Sequence, residues 1–175
     1  MNRNFNIPDS FNTIILGGLV AGVLDAVDAV IAYGIKGMNP VQVLQYVASG
    51  ILGSSAYAGI TAAGIANAGL GALLHFFIAL VVATVYYAGA LKLPILGRRP
   101  VAFGLLFGAS VFLFMTFLVL PNSNVTKNPF SLGLFLNGII GHALFVGLPI
   151  ALYATRPGRQ AGGNPALAGR TVAAR

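Results

Sequence analysis

Two aspartates and two histidines are the only Asp, Glu, Lys, Arg or His side chains inside the long apolar runs of this chain. Asp25 and Asp28 sit in FNTIILGGLVAGVLDAVDAVIAYGI, residues 11–35, and are two of only three acidic residues among 175. His75 and His142, the only histidines, lie in later apolar runs, with Asn137 near the second. An ionised carboxylate at the centre of a bilayer costs at least about 2.5 kcal/mol, so such residues mark function or a specific buried partner. Three chemistries suit this set. Asp–His hydrogen bonds can fix which helix faces which, at about 0.6 kcal/mol each on average in membranes. A chain of Asp and His can relay protons or cations. Two imidazoles on different helices can ligate a haem, and two His with two carboxylates can hold a metal ion. No spacing signature chooses among them, and no cofactor is predicted outright; haem or metal would come through His75 and His142.

Other chemistries are excluded more firmly. The chain has no cysteine, which removes disulfides, thiolate metal sites and cysteine-ligated clusters. Ser54 and Ser55 have no neighbouring histidine in sequence and no nucleophile motif. There is no P-loop, dinucleotide fingerprint or HExxH sequence. The expectation is a protein without catalytic machinery.

The elements that must position the four groups follow from composition. Of all residues 57% are hydrophobic and only 7% charged, with a mean hydropathy of +0.87. A soluble domain carries roughly 25% charged residues, so most of this surface must meet lipid. Spanning segments of about 20 apolar residues without strand-like alternation are helices. The predicted fold is therefore all-α: a four-helix transmembrane bundle forming one domain over residues 1–155. The spans are placed at about 11–35, 68–91, 101–120 and 130–153. Residues 156–175, basic with Gly and Pro, are expected to be a mobile tail.

Within the first span, Ala21, Asp25, Asp28 and Ala32 fall on one helical stripe. Its small residues predict that the stripe faces protein. Gly18 and Gly22, Gly104 and Gly108, and Gly138 with Gly141 are candidate positions of close helix approach. Asn39 and Pro40 suit a helix start. Over residues 40–53, Leu44, Val47, Ala48, Ile51 and Leu52 oppose Gln42, Gln45 and Ser49. That pattern predicts an interfacial amphipathic helix between spans 1 and 2, its Gln/Ser side turned to water. The Ala/Gly-rich stretch 56–69 reads as a connection.

With four spans and the N-terminus inside, Arg3, Lys92, Arg98, Arg99, Arg156, Arg159, Arg170 and Arg175 are cytoplasmic, and only Lys36 and Lys127 are outside. This satisfies the positive-inside rule. A fifth span over 41–62 would satisfy it equally, since Arg3 and Lys36 would trade sides; the amphipathic pattern favours four. The net charge of +7 is explained by topology, and no nucleic-acid partner is implied. At 1.5 Å per residue, Asp28 and His75 both lie roughly 10 Å below the outer boundary, Asp25 roughly 15 Å and His142 roughly 18 Å. The depths predict one polar cluster that pairs Asp28 with His75 and Asp25 with His142.

The segments ASGILG (48–53), LHFFIA (74–79), GHALFVGLPIAL (141–152) and AGVLDAVDA (21–29) resemble a set of small bacterial multi-pass inner-membrane proteins that have no assigned activity. The resemblance implies four helices and a bacterial inner membrane, and carries over no functional residue. Three roles stay open. One is a small accessory or structural subunit that packs on other membrane subunits or on itself. Another is a small transporter or proton/ion-conducting protein. The third is a haem- or metal-binding subunit.

Overall fold

The computed structural model describes residues 10–126 and 129–155; the expected tail at 156–175, Arg3 and Lys127 lie outside the described residues. All regular elements among these residues are helices. Helix α1 covers Ser10–Gly34, α2 Pro40–Leu52, α3 Ala62–Lys92, and a short α4 Pro94–Arg98. Helix α5, Pro100–Phe114, continues through a π turn, Met115–Val119, into a short 3-10 turn. The last long helix starts as α6, Leu132–Gly141, passes through a second π turn, His142–Gly147, and ends as α7, Leu148–Ala154. Four of these stretches are long and apolar enough to cross a membrane: Thr13–Gly34, Ala62–Lys92, Pro100–Asn122 and Leu132–Ala154.

Each π turn has a proline just beyond it, Pro121 and Pro149. A helical proline ring clashes with the carbonyl four residues earlier, which here belongs to Phe117 and to Phe145. Both carbonyls lie within the widened turns. There Leu120 N–H reaches Met115 O and Leu148 N–H reaches Ala143 O, five residues back. The proline thus explains the π turn, and the second π turn begins at His142.

Small residues set how closely the helices approach. A Cβ on Gly18 would lie 2.9 Å from Leu80 Cδ2, and one on Gly22 would lie 2.8 Å from Phe76 Cδ1, so α1 runs against α3. On its other side α1 meets the last helix, where Gly17 faces Tyr153. A Cβ on Gly108 would overlap the His142 carbonyl, and one on Gly147 the Gly104 carbonyl and the Gly108 backbone, so α5 lies against the π turn and α7. Gly138 sits under the Phe112 ring and Gly141 under the Asp28 carboxyl. At the end of the molecule where α1 starts and α3 finishes, Ala21, Ala83, Tyr86, Val146, Ile150, Ala151 and Ala154 form a buried core, with Ile14, Leu96 and Phe107 packed on it. Large apolar side chains point outward instead: Phe11, Leu73, Phe77, Leu106 and Phe117 are all more than 60% exposed.

Helix α2 differs from expectation. Asn39 caps it, with Gln42 N–H donating to Asn39 Oδ1 and Asn39 N–H to Gln42 Oε1, both at 2.9 Å. Two of the three polar residues expected to face water do not: Gln45 and Ser49 are fully buried, while Gln42 is partly exposed and Ile51 is 57% exposed. The reason is the small-residue face at the start of α3. A Cβ on Gly71 would overlap the Leu44 carbonyl, so the two backbones touch, and Gln45 Nε2 donates to the carbonyls of Gly59 (2.9 Å) and Gly64 (3.0 Å). Residues 62–69 are correspondingly helical rather than a connection, started by Thr61, whose Oγ1 accepts from Gly64 N–H at 3.1 Å. The far end of α2 is tied to the segment after α5: Asn124 N–H donates to Gly50 O at 3.0 Å and Asn124 Nδ2 to Ile51 O at 2.9 Å.

Candidate functional site

Toward the α2 end the helices no longer fill the space between them. A cavity of about 640 Å³ is bounded by α1, α2, α3, α5 with its π turn, and the second π turn. Its wall is mostly aliphatic and aromatic, with Val43, Val82, Val111, Met115 and Val146 among the lining residues. Tyr86 of α3 meets Phe107 of α5 edge to face, with centroids 5.0 Å apart, and neither ring lines the cavity. Asp25, His75 and His142 are on the wall. A second, smaller cavity of about 90 Å³ lies between α1 and α6 and is lined by Asp28, Asn137, Leu134 and Gly138. Asp25, Tyr33, Phe112 and His142 border both cavities.

The two aspartates have different surroundings. Asn137 Nδ2 donates to Asp28 Oδ2 at 2.9 Å, and the carboxyl lies over Gly141. Asn137 is therefore the group that satisfies Asp28. The expected Asp28–His75 pair does not form: His75 Nε2 is 2.8 Å from the Gly22 carbonyl. A carbonyl only accepts, so Nε2 carries the proton, and in the neutral ring Nδ1 remains an acceptor. The depth match missed this because depth says nothing about azimuth. His75 reaches α1 three residues before Asp25, on the side where Gly22 packs against α3. Asp25 and His142 do come together, with Oδ1 and Nδ1 3.4 Å apart. That distance brings the two groups close, but the pair does not meet hydrogen-bond geometry, and His142 Nδ1 is buried without a hydrogen-bond partner. Among the described residues the Asp25 carboxyl accepts no hydrogen bond.

Aromatic groups complete the site. Phe112 packs edge-on to His142, with centroids 5.2 Å apart, and Tyr33 lies 5.8 Å from Tyr46. Burial, then the neighbouring Tyr33 and Tyr57, push the Tyr46 hydroxyl up to about 12, so it remains a proton donor at neutral pH. Tyr46, Thr116 and Phe112 carried no signal of their own in the sequence. The nearest clue was Pro121, which places a π turn under Thr116.

No group of three or more His, Cys, Asp or Glu side chains suited to a metal ion is found among the described residues. The chain matches no family model, no curated protein and no solved structure.

Proposed function

We propose that this is an integral membrane protein that binds a mostly apolar small molecule in the half-open space between its helices. The observation that carries the reading is the cavity of about 640 Å³, with an apolar wall and a few convergent polar groups. Protein interiors are close-packed, with few voids larger than a water molecule, whereas ligand sites run from about 300 to 1,000 Å³ and often lie between helices of bundles. A subunit that served only as packing material would have no use for such a space, particularly beside helices that elsewhere approach to backbone contact. The proposal includes a four-helix transmembrane bundle in a bacterial inner membrane with both termini cytoplasmic. It also includes α2 lying near the outer interface over the cavity mouth, and glycine pairs as the packing device.

Mass spectrometry of the protein released from lipid nanodiscs tests the binding role. The expected result is one apolar adduct per chain that is lost in Val111→Phe, which fills the wall. Equal adducts in both proteins, or none in either, would overturn it. A second reading, conduction of protons or ions, is favoured by one feature: the Asp25–His142 pair borders both cavities and would connect them. Proton flux into liposomes that falls in Asp25→Asn would promote it.

A further inference from the structure

We infer that the cavity takes a lipophilic monocation, an apolar body bearing one protonated amine or onium centre, and that Asp25 is its counter-ion. This rests on the binding role proposed above and adds the class of ligand. Three observations converge. First, Asp25 is on the cavity wall, yet its carboxyl accepts no hydrogen bond among the described residues, and His142 stands off at 3.4 Å without alignment. An ionised carboxylate held at such depth is costly, and a cation at the wall would offset that cost. Asp28, one turn further along α1, is satisfied by Asn137 and borders only the smaller cavity.

Second, no lysine or arginine is among the described residues that line the cavity. An anionic ligand would meet a carboxyl with no cation to balance it. The other titratable groups on the wall are His75, His142, Tyr33 and Tyr46. His75 Nε2–H donates to the Gly22 carbonyl, so that proton is already engaged by the backbone. Third, the rings of Tyr33, Tyr46, Phe76 and Phe112 are part of the wall. Aromatic faces attract a cation most strongly where water is excluded. A carboxyl that accepts no hydrogen bond and several aromatic rings on an apolar wall recognise positive charge on a greasy body.

The test uses three probes of similar shape and different charge in equilibrium dialysis against the full-length protein in nanodiscs. They are tetraphenylphosphonium, triphenylphosphine oxide and tetraphenylborate. Binding is taken as the amount above that of Val111→Phe, which corrects for partition into lipid. The inference expects saturable binding of tetraphenylphosphonium and none of tetraphenylborate. Asp25→Asn should weaken tetraphenylphosphonium by at least about tenfold, as for loss of one partner of a desolvated charge pair. Asp25→Glu should restore much of it. Asp28→Asn, which removes the same charge from the same helix, should bind as the unaltered protein does, and this keeps the test valid if one variant folds poorly. If the oxide binds as well as the cation and Asp25→Asn changes nothing, the ligand class is wrong and the binding role stands. If no probe exceeds Val111→Phe, both fail.

Discussion

The two ends of this molecule are built from the same four helices and packed in opposite ways. Where α1 begins, glycines and alanines bring helix backbones together around Tyr86 and Ile150, and little space is left. Toward α2, the same helices leave a half-open space of about 640 Å³ between them. The difference follows from where the small residues stop on α5. Gly104 and Gly108 hold that helix against Gly147 and the His142 carbonyl. Beyond them come Val111, Phe112 and Met115, bulky side chains followed by a π turn, and there the cavity opens. Close packing at one end supports a hollow at the other, and the polar groups are on the hollow's wall.

The largest effect should come from bulk added to the closed end. Gly147→Leu has nowhere to put its side chain except into the Gly104 and Gly108 backbones. It should cost about 3 kcal/mol or more, at the upper end of overpacking, read as a fall in the thermal midpoint and in monodisperse yield in detergent. Asp28→Leu should be next, at about 1–2 kcal/mol, because it leaves the part-buried Asn137 amide without an acceptor. Asp28→Asn, which retains an acceptor, should lose much less by the same melt. In the hollow half the sign should reverse. Ala72→Leu and Val111→Phe project into the cavity and should stabilise by about 0.5–2 kcal/mol, as cavity filling commonly does. A loss as large as that of Gly147→Leu would mean that the cavity is not there.

The smallest effect is a labelling pattern on α2. Ile51→Cys should react with a thiol reagent, while Gln45→Cys and Ser49→Cys, on the buried seam against α3, should be protected. Reaction at positions 45 and 49 instead would restore the water-facing orientation that the sequence suggests.

Much of the closed end was legible in the sequence because its signal is local. Long apolar runs mark helices, and Gly18, Gly22, Gly104 and Gly108 mark faces that can approach closely. The open end was less legible. A cavity is an absence between elements, and no residue announces it. The orientation of α2 departs from the expectation of a water-facing polar side because Gln45 and Ser49 are buried. Next to lipid, an apolar face gains little by turning inward, whereas a buried glutamine left without partners is costly, so it is held by carbonyls. Gln45 therefore turned toward Gly59 and Gly64. The pairing of Asp28 with His75 failed for a related reason. Depth can be counted from the sequence, but rotation about the helix axis depends on partners, and Asn137 was the nearer one on that side. Pro121 and Pro149 were visible signals for the π turns that went unused.

The central claim is that the cavity can be reached by a small apolar molecule while the closed end cannot. Because the native chain has no cysteine, single-cysteine variants report it cleanly. Thr116→Cys on the cavity wall and Ile150→Cys in the closed core should be treated with uncharged N-ethylmaleimide in native membranes. The account predicts that position 116 reacts, that added Val111→Phe slows it, and that position 150 stays unmodified. Equal rates at the two positions, or no effect of Val111→Phe, would contradict it.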